Sequence, residues 1–314
     1  MSDDLLSSSA RRLGEELDDD GIRLEGHPEL RPFLLDELDY ARRIPMFEGR
    51  RTTYGSFSMP PGLDLDGLED VDLVPLDDLP RAMTRTFADG RSAFLVNRLD
   101  AAPQLVCFDR SIQYEADLVE LQEATGAHIV QRTAVFGQVR LFADRCVISW
   151  NGHAWTNRVT AAGLLPKLLE CAPGLDPAVA HGLLDLVVHW LSPARIGATI
   201  VVHEEGFDWV SMDVATKFRA PQLRITNRQH YPALFAAFQQ HDLATLVTSD
   251  GDVRYLGVGL RASAEAERVT DNSRGMRHRS AQRFSYDHPS TTIAVVSDDG
   301  PVTIFRAGAA VVLS

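Results

Sequence analysis

Three short segments in the last third of the chain carry side chains suited to binding phosphate and metal ions. They are His241-Asp242-Leu243-Ala244, Gly275-Met276-Arg277-His278-Arg279 and Ser297-Asp298-Asp299-Gly300. The first supplies a carboxylate, the second a cationic cluster after a glycine, and the third two acids in a turn. Guanidinium groups pair with phosphate oxygens, and a helix N-terminus adds free backbone N–H groups. For the cationic cluster alone, phosphate binding and a solvated basic face remain alternatives.

The hydrophobic pattern around these segments predicts an α/β unit that holds them at the ends of strands and helices. Apolar residues at helical spacing predict helices, and short β-branched runs predict buried strands. The predicted helices span 177–191, 231–240 and 276–284, and the predicted strands span 196–202, 243–248, 253–260, 291–296 and 302–305. Segments that follow strand ends and turns are where functional residues concentrate, because a rigid scaffold positions them there.

The order and spacing of these segments resemble the diadenylate cyclase domain of the DNA integrity scanning protein and its membrane-bound relatives. That family reads Ile-Gly-Ala-Leu-Ile-Val, His-Asp-Gly-Ala, Gly-Thr-Arg-His-Arg-Ala-Ala and Val-Ser-Glu-Glu-Thr-Gly. The corresponding stretches here are Ile196-Gly-Ala-Thr-Ile-Val201, His241-Asp-Leu-Ala244, Gly275-Met-Arg-His-Arg-Ser-Ala281 and Val296-Ser-Asp-Asp-Gly300. The resemblance implies that residues 177–310 form an α/β domain with a mixed β-sheet flanked by helices.

The resemblance also implies an activity, the condensation of two ATP molecules into cyclic di-AMP and two pyrophosphates. Each protomer of a face-to-face homodimer would hold one ATP, whose 3′-hydroxyl attacks the α-phosphate of the other. Phosphoryl transfer of this kind depends on positioning and charge neutralisation. The implied cofactor is Mg²⁺ or Mn²⁺.

The family's functional positions carry over to this sequence residue by residue. The implied catalytic residues are Asp242, Arg277, His278 and Arg279. The implied nucleotide-binding residues are Leu243, Ala244, Gly275, Met276 and Ser297. The implied metal-binding residues are His241, Asp242 and Asp299.

Three departures from the family pattern bear on activity. Leu243 stands in place of a glycine that lets the backbone approach the nucleotide, and Met276 stands in place of a threonine. Asp298 and Asp299 are each one methylene shorter than the family's glutamates, in a turn that lacks one residue. An active enzyme, a changed nucleotide preference and a silent nucleotide-binding module are the alternatives. Asp242 and the Arg-His-Arg segment are retained, which favours an active enzyme.

The N-terminal half of the chain predicts a second, smaller α/β domain. Residues 1–80 are expected to form a helix at 28–43, a loop at 45–62 and an acidic solvated linker at 63–80. Residues 81–175 are expected to form the domain itself, with a helix at 114–125 and strands at 94–96, 105–108, 128–131, 135–142 and 146–150. By analogy of position it is interpreted as sensor-like, and the sequence does not identify its ligand.

Other polar clusters lack the spacing of known sites. The acids at 64, 66 and 69 do not match a calcium loop, because Gly67 falls at the fourth place instead of the sixth. His203, followed by two glutamates, has no second histidine at helical spacing. His181 and His189 are expected at the surface or at an interface.

Composition predicts a cytoplasmic protein with no DNA and no membrane partner. The 314 residues carry a net charge of −13, which repels nucleic acid and anionic lipid. The three cysteines are far apart, which argues against a disulfide framework. The start of the chain lacks an apolar signal segment, and no apolar run is long enough to span a bilayer.

Overall fold

The fold consists of two compact units, Met1–Val159 and Thr160–Ser314. The structure, a computed structural model, describes the chain except residues 1–6, 25–27, 45, 64, 66–67, 69, 78, 113, 135–136, 204–217, 271–274 and 314. In the described ranges, no helix is long and apolar enough to cross a membrane.

The N-terminal unit is built on a mixed sheet with helices on both faces. Its helices are α1 (Ser8–Asp19), α2 (Arg31–Arg43), α3 (Arg81–Thr84) and α4 (Glu115–Thr125). Its strands are β1 (Met46–Phe47), β2 (Arg50–Arg51), β3 (Tyr54–Met59), β4 (Val71–Pro75), β5 (Ala93–Arg98), β6 (Gln104–Phe108), β7 (His128–Arg132), β8 (Val139–Ala143), β9 (Cys146–Trp150) and β10 (Trp155–Val159). Among the described residues the main sheet has eight strands in the order β10-β9-β8-β7-β3-β5-β6-β4, with only β3 and β5 parallel.

Both faces of this sheet are apolar, because successive side chains along each strand point to opposite faces and both faces are covered by helices. Val130 and its neighbours pack under α1 and α2, whereas Ile129 and its neighbours pack under α4. Adjacent side chains of a strand point to opposite faces, so a strand covered on both sides is apolar at nearly every position.

The prediction of a loop at 45–62 and a linker at 63–80 was wrong. Tyr54–Met59 is a fully buried central strand, and Val71–Pro75 is an edge strand of the same sheet. The glycine and serines of β3 resemble loop composition, but the glycine is required by packing, because a Cβ at Gly55 would lie 2.3 Å from the Phe94 ring. The N-terminal unit therefore includes the first 80 residues and is not the smaller of the two. The acids at 64, 66 and 69 lie outside the described residues.

The C-terminal unit also has a mixed sheet. Its helices are α5 (Ala161–Cys171), α6 (Pro177–Asp185), α7 (Tyr231–Gln240), α8 (Ala264–Val269) and α9 (Met276–Asp287), with a π-helical segment at Leu186–Leu191. Its strands are β11 (Ala198–Val202), β12 (Phe218–Arg219), β13 (Ala244–Val247), β14 (Val253–Val258), β15 (Thr292–Val296), β16 (Val302–Arg306) and β17 (Ala309–Leu313). Within the described chain the seven strands follow the order β12-β14-β13-β11-β15-β16-β17, and only β11 and β13 are parallel.

The predicted α/β fold class and mixed C-terminal sheet are confirmed, but the predicted boundary at 175–177 lies one helix too late. Helix α5 packs against α6 and β17, so it belongs to the C-terminal unit, which begins at Thr160. The apolar residues of α5 follow the N-terminal strands without a turn signal, which is why the sequence placed them in the wrong unit.

The helix predicted at 177–191 is present but changes its winding. Asp176 caps α6 by accepting bonds from the N–H groups of Ala178 and Val179, and after Asp185 the helix widens into the π-helical segment. His181 is exposed, as expected. The prediction for His189 was wrong: only 1% of it is exposed, and all six residues of the π-helical segment are buried.

Candidate active site

The sheet topology brings three segment ends together in the C-terminal unit. β11 and β13 are parallel neighbours, so both begin at the same edge of the sheet. β15 runs antiparallel to β11 and therefore ends at that edge. Gly197 precedes β11, Asp242 precedes β13, and Asp298 follows β15. Helix α9 packs on β15 and β16, and its first turn carries Arg277 to the same place.

Arg277 joins the two carboxylates. Its Nη2 donates to Asp242 Oδ1 at 3.1 Å, and its Nη1 donates to Asp298 Oδ1 at 2.7 Å. The hydrogen bond from Arg277 lowers the pKa of Asp242, and the N–H of Leu243 adds to this effect. Partial burial alone would lower the pKa of Arg277, but the bonds and charges of Asp298 and Asp242 outweigh it and raise the pKa. Asp242 and Arg277 are therefore both ionised at neutral pH.

Gly197 leaves the space that this ion pair occupies. A Cβ at position 197 would lie 2.0 Å from Asp298 Oδ1 and 2.3 Å from Arg277 Nη1. No side chain fits at such distances without displacing the pair. Glycine is thus required at position 197 because the side chains of Arg277 and Asp298 approach its Cα closely. Backbone conformation is not the reason, since the φ of Gly197 is not in the left-handed region.

A cavity of about 640 Å³ opens on one side of Arg277. One part of its wall is apolar and consists of Leu243, Ala244, Val258, Leu260 and Met276. The other part is polar and consists of Thr199, Asp242, Arg277, His278, Ser280, Ser297, Asp298 and Asp299. Concave sites with a mostly apolar wall and a few convergent polar groups are typical of small-molecule binding.

A second cavity of about 430 Å³ lies on the other side of Arg277. Asp242, Arg277 and Asp298 line both cavities, so the guanidinium stands between them. The remaining wall of the second cavity is formed by Arg195, Ile196, Gly197, Phe238, Gln239, Gln240 and His241. The larger cavity has an extended apolar wall, whereas the lining of the smaller cavity is mainly polar.

The N-terminus of α9 opens on the larger cavity. Gly275 is the N-cap and has no side chain to bond the first-turn N–H groups. Met276 follows with 76% of its surface exposed. The first helical bond is donated by Arg279 N to Gly275 O, so the N–H groups before it have no helical acceptor. Such a terminus favours an anion.

The structure separates the three residues of the Arg-His-Arg segment. Arg277 faces the two cavities. His278 lies in the wall of the larger one, 3.3 Å by Nε2 from Thr303 Oγ1 and edge-on to Phe305, so it is held against β16. Arg279 lines neither cavity, and its side chain contacts no partner among the described residues. Consecutive residues of a helix point about 100° apart, so one short segment cannot direct three side chains to one site.

Leu243 occupies a backbone conformation that favours glycine. Its φ is 71°, in the left-handed region, where a leucine is strained. Its side chain is 51% exposed and lines the larger cavity. The leucine thus points toward the cavity and not into the core.

The predicted metal ligands are not gathered into a cluster. Within the described ranges no group of three or more His, Cys, Asp and Glu side chains could hold a metal ion. His241 lies in the smaller cavity with its ring 4.8 Å from that of Phe218, whereas Asp299 lies in the larger cavity. Asp242 and Asp298 both pair with Arg277 and line both cavities, and Mg²⁺ is usually bound in proteins by one or two carboxylates plus substrate phosphates.

Gly197 and Asp298 were not among the residues predicted for the site. Both lie in the stretches that carried the family resemblance, and that is the signal that could have found them. Their roles depend on the pairing of β11 with β15, which places two remote segments in contact.

Comparison with known families agrees with the division into two units. Residues 186–310 match the DAC family, described as DisA bacterial checkpoint controller nucleotide-binding. Residues 11–158 match the family described as probable sensor domain DACNK. The chain thus carries a C-terminal DAC domain and an N-terminal sensor domain, which confirms the resemblance. No curated protein matches the chain.

Two solved structures are similar to parts of the chain. A hypothetical membrane-spanning protein from Bacillus cereus is 24% identical, with a TM-score of 0.29, and the match covers 44% of this chain and 60% of that one. A double cysteine mutant of DacA from Staphylococcus aureus is 18% identical, with a TM-score of 0.31, and the match covers 47% of this chain and 83% of that one. The chain thus spans less than two thirds of the first structure.

Proposed function

We propose that the DAC domain condenses two ATP molecules into cyclic di-AMP and two pyrophosphates. The observation that carries this proposal is the Asp242–Arg277–Asp298 group, which stands between two cavities at the N-terminus of α9. An apolar space, a cationic group and a polar space follow one another there. A nucleoside triphosphate complements this order, because its base is a flat, largely apolar ring and its phosphates are anionic.

The adenosine part of ATP fits the larger cavity. Its apolar wall offers Leu243, Val258 and Leu260 to the purine ring. The volume of about 640 Å³ lies within the range of roughly 300–1,000 Å³ found for small-molecule pockets. The triphosphate would then cross Arg277 and the N-terminus of α9, with its end toward the smaller cavity.

The reaction forms one bond and breaks one bond at each α-phosphate. The 3′-oxygen of one ATP bonds to the α-phosphorus of the other, the bond from that phosphorus to the bridging oxygen breaks, and pyrophosphate leaves. The 3′-hydroxyl proton passes to solvent, because the lowered pKa of Asp242 makes its carboxylate a weak base. Asp242 therefore acts by accepting a hydrogen bond and orienting the hydroxyl.

Arg277 provides the positive charge for this step. Its two bonds to carboxylates hold the guanidinium in place before substrate arrives, and a planar guanidinium suits phosphate oxygens. Preorganised charge stabilises the transition state without reorganisation during the reaction. Asp242 and Asp298 would hold Mg²⁺ or Mn²⁺, which when bound supplies further charge neutralisation for the leaving pyrophosphate.

Two protomers are required by the geometry of the product. One site that holds one ATP cannot place both 3′-hydroxyls in line with both α-phosphates. Two identical sites that face each other across a two-fold axis can do so. Phe218, Leu243 and Met276 are exposed apolar residues beside the cavities, and they support a second copy as the partner of this face.

A silent nucleotide-binding module is the second candidate function. The observation that favours it is Leu243, whose side chain lies in the larger cavity at a backbone position suited to glycine. In that case ATP would bind without turnover, and the N-terminal sensor domain would respond to it.

Product analysis separates these two functions. The full chain is incubated with ATP and Mn²⁺, and the products are identified by chromatography and mass spectrometry. We expect cyclic di-AMP from the wild type. Asp242→Asn should lose turnover while it still binds ATP, because the carboxylate acts mainly in the transition state. ATP binding by the wild type without any cyclic di-AMP would favour the silent module.

A further inference from the structure

The chain leaves the N-terminal unit at Val159 and enters α5, and a single buried histidine holds the start of that helix. The N–H of Ala161, the first residue of α5, donates to His189 Nε2 at 3.0 Å. Thr160, the N-cap residue, makes no capping bond with its own side chain. His189 therefore replaces the usual cap of α5, and it does so from a different element.

His189 belongs to the π-helical segment Leu186–Leu191. The wider winding is seen in the bond from Ser192 N to Val187 O at 3.0 Å, which spans five residues. π-helical turns are rare in proteins, and those that occur lie frequently at functional sites. All six residues of the segment are buried, so it lies inside the unit.

One end of this segment leads to the ion pair of the site. The N–H of Ile196 donates to Leu191 O at 3.0 Å, and the next residue is Gly197, against which Arg277 and Asp298 pack. The carbonyl oxygen of Ser192 would lie 3.4 Å from a Cβ at Gly300, at the end of the turn that carries Asp298. Gly197 thus lies against Asp298 directly, and Ser192, the residue after the segment, lies beside Gly300 in the turn that follows Asp298.

The segment also packs against α7, the helix that ends two residues before Asp242, which is the second carboxylate paired with Arg277. Asp185, just before the segment, accepts two bonds from Arg228 at 2.7 and 3.1 Å. The ring of Trp190 stacks edge-on against Tyr231, with centroids 5.4 Å apart. Because α7 runs from Tyr231 to Gln240, its position sets that of Asp242.

We propose that His189 is a positioning residue for the cyclase reaction and carries changes at the start of α5 to the site. The inference rests on the proposed function. The bond to Ala161 fixes the π-helical segment, and the segment fixes Gly197, the turn of Asp298 and helix α7. A shift of the chain where it leaves the sensor domain thus reaches both carboxylates that hold Arg277.

The test compares two substitutions of equal size in the full chain. In His189→Gln the amide oxygen can still accept the bond from Ala161, whereas in His189→Met a side chain of similar shape cannot. We expect kcat of His189→Met to fall about tenfold below that of His189→Gln while KM for ATP stays similar, because positioning affects the transition state more than binding. Equal kcat in both variants would overturn the inference.

Hydrogen exchange gives a second measurement that needs no turnover. In His189→Met the amides of Ile196, Ser297 and Gly300 should exchange about tenfold faster than in His189→Gln. Faster exchange confined to the first turn of α5 would contradict the inference, because the bond would then stabilise only that helix. A wild type that makes no cyclic di-AMP would contradict the proposed function, and the exchange result would still decide the role of His189.

Discussion

At the scale of single residues, the site depends on a glycine as much as on its charged groups. Gly197→Ala would place a Cβ within 2.3 Å of the ends of Arg277 and Asp298. Both side chains are flexible, so the fold should survive, but the guanidinium moves. A displacement of about 1 Å at a reacting group can lower the rate about 100-fold, and we expect a loss of that order in cyclic di-AMP formation.

Gly182→Ala is the contrasting control. There the added Cβ would lie 2.4 Å from the carbonyl oxygen of Ile225, which is backbone and cannot turn aside. This variant should lose stability, by about 1–3 kcal/mol in denaturant unfolding. If Gly197→Ala keeps full activity, the space at position 197 does not position the ion pair. The same conclusion follows if Gly197→Ala loses as much stability as Gly182→Ala, because the substitution then disturbs the fold.

Leu243 offers a test of the departure from the family pattern. Leu243→Gly removes a strained left-handed leucine, which is worth about 1 kcal/mol, and removes a half-exposed side chain from the cavity. We expect unchanged or higher stability and unchanged or higher activity. Leu243→Ala keeps the strain and removes only the bulk, so it separates the two effects. Lower activity in both variants would mean that the leucine binds the nucleotide.

The sequence predicted part of this residue-level arrangement. Asp242, Leu243 and Arg277, which the resemblance implied as site residues, line the same cavity, and their roles stay predictions. The pairing of Arg277 with Asp298 could not be predicted, because Arg277 begins helix α9 and Asp298 follows strand β15, and the packing of that helix on the sheet brings the two together. His278 and Arg279 were grouped with Arg277 because all three match one motif of the family. His278 lines the larger cavity, whereas Arg279 lines neither cavity.

At the scale of elements, the central strand β3 shows why composition misled the prediction. Gly55→Ala would place a Cβ 2.3 Å from the Phe94 ring and 2.5 Å from the backbone of Gly90. We expect a loss of about 1–3 kcal/mol in denaturant unfolding of the N-terminal unit. Ser58→Ala, in the same strand, removes a buried hydroxyl without a hydrogen-bond partner among the described residues, so it should be neutral or stabilising. Equal stability of the two variants would contradict this account of β3.

Most elements of the C-terminal unit were predictable, because their patterns are local. Helix α7 has the predicted bounds, and β13 to β16 differ from prediction only at their ends. The apolar strand β17 follows the turn at Gly308 and was not predicted. The π-helical winding was also missed, since its apolar spacing differs little from that of an α-helix.

At the scale of the whole molecule, two units of similar length each enclose their own core. The sequence predicted two α/β domains but placed their boundary late, because no turn residues mark the passage from β10 to α5. The passage bears on the proposed positioning role of His189, because this chain segment links the sensor domain to the DAC domain.

In the proposed reaction, two ATP molecules react between two protomers. The most direct test measures the initial rate of cyclic di-AMP formation at saturating ATP while the protein is diluted. Below the dissociation constant of the dimer, we predict a rate that rises with the square of protomer concentration, because both sites must meet. A rate strictly proportional to concentration, in a range where the protein is shown to be monomeric, would contradict the account.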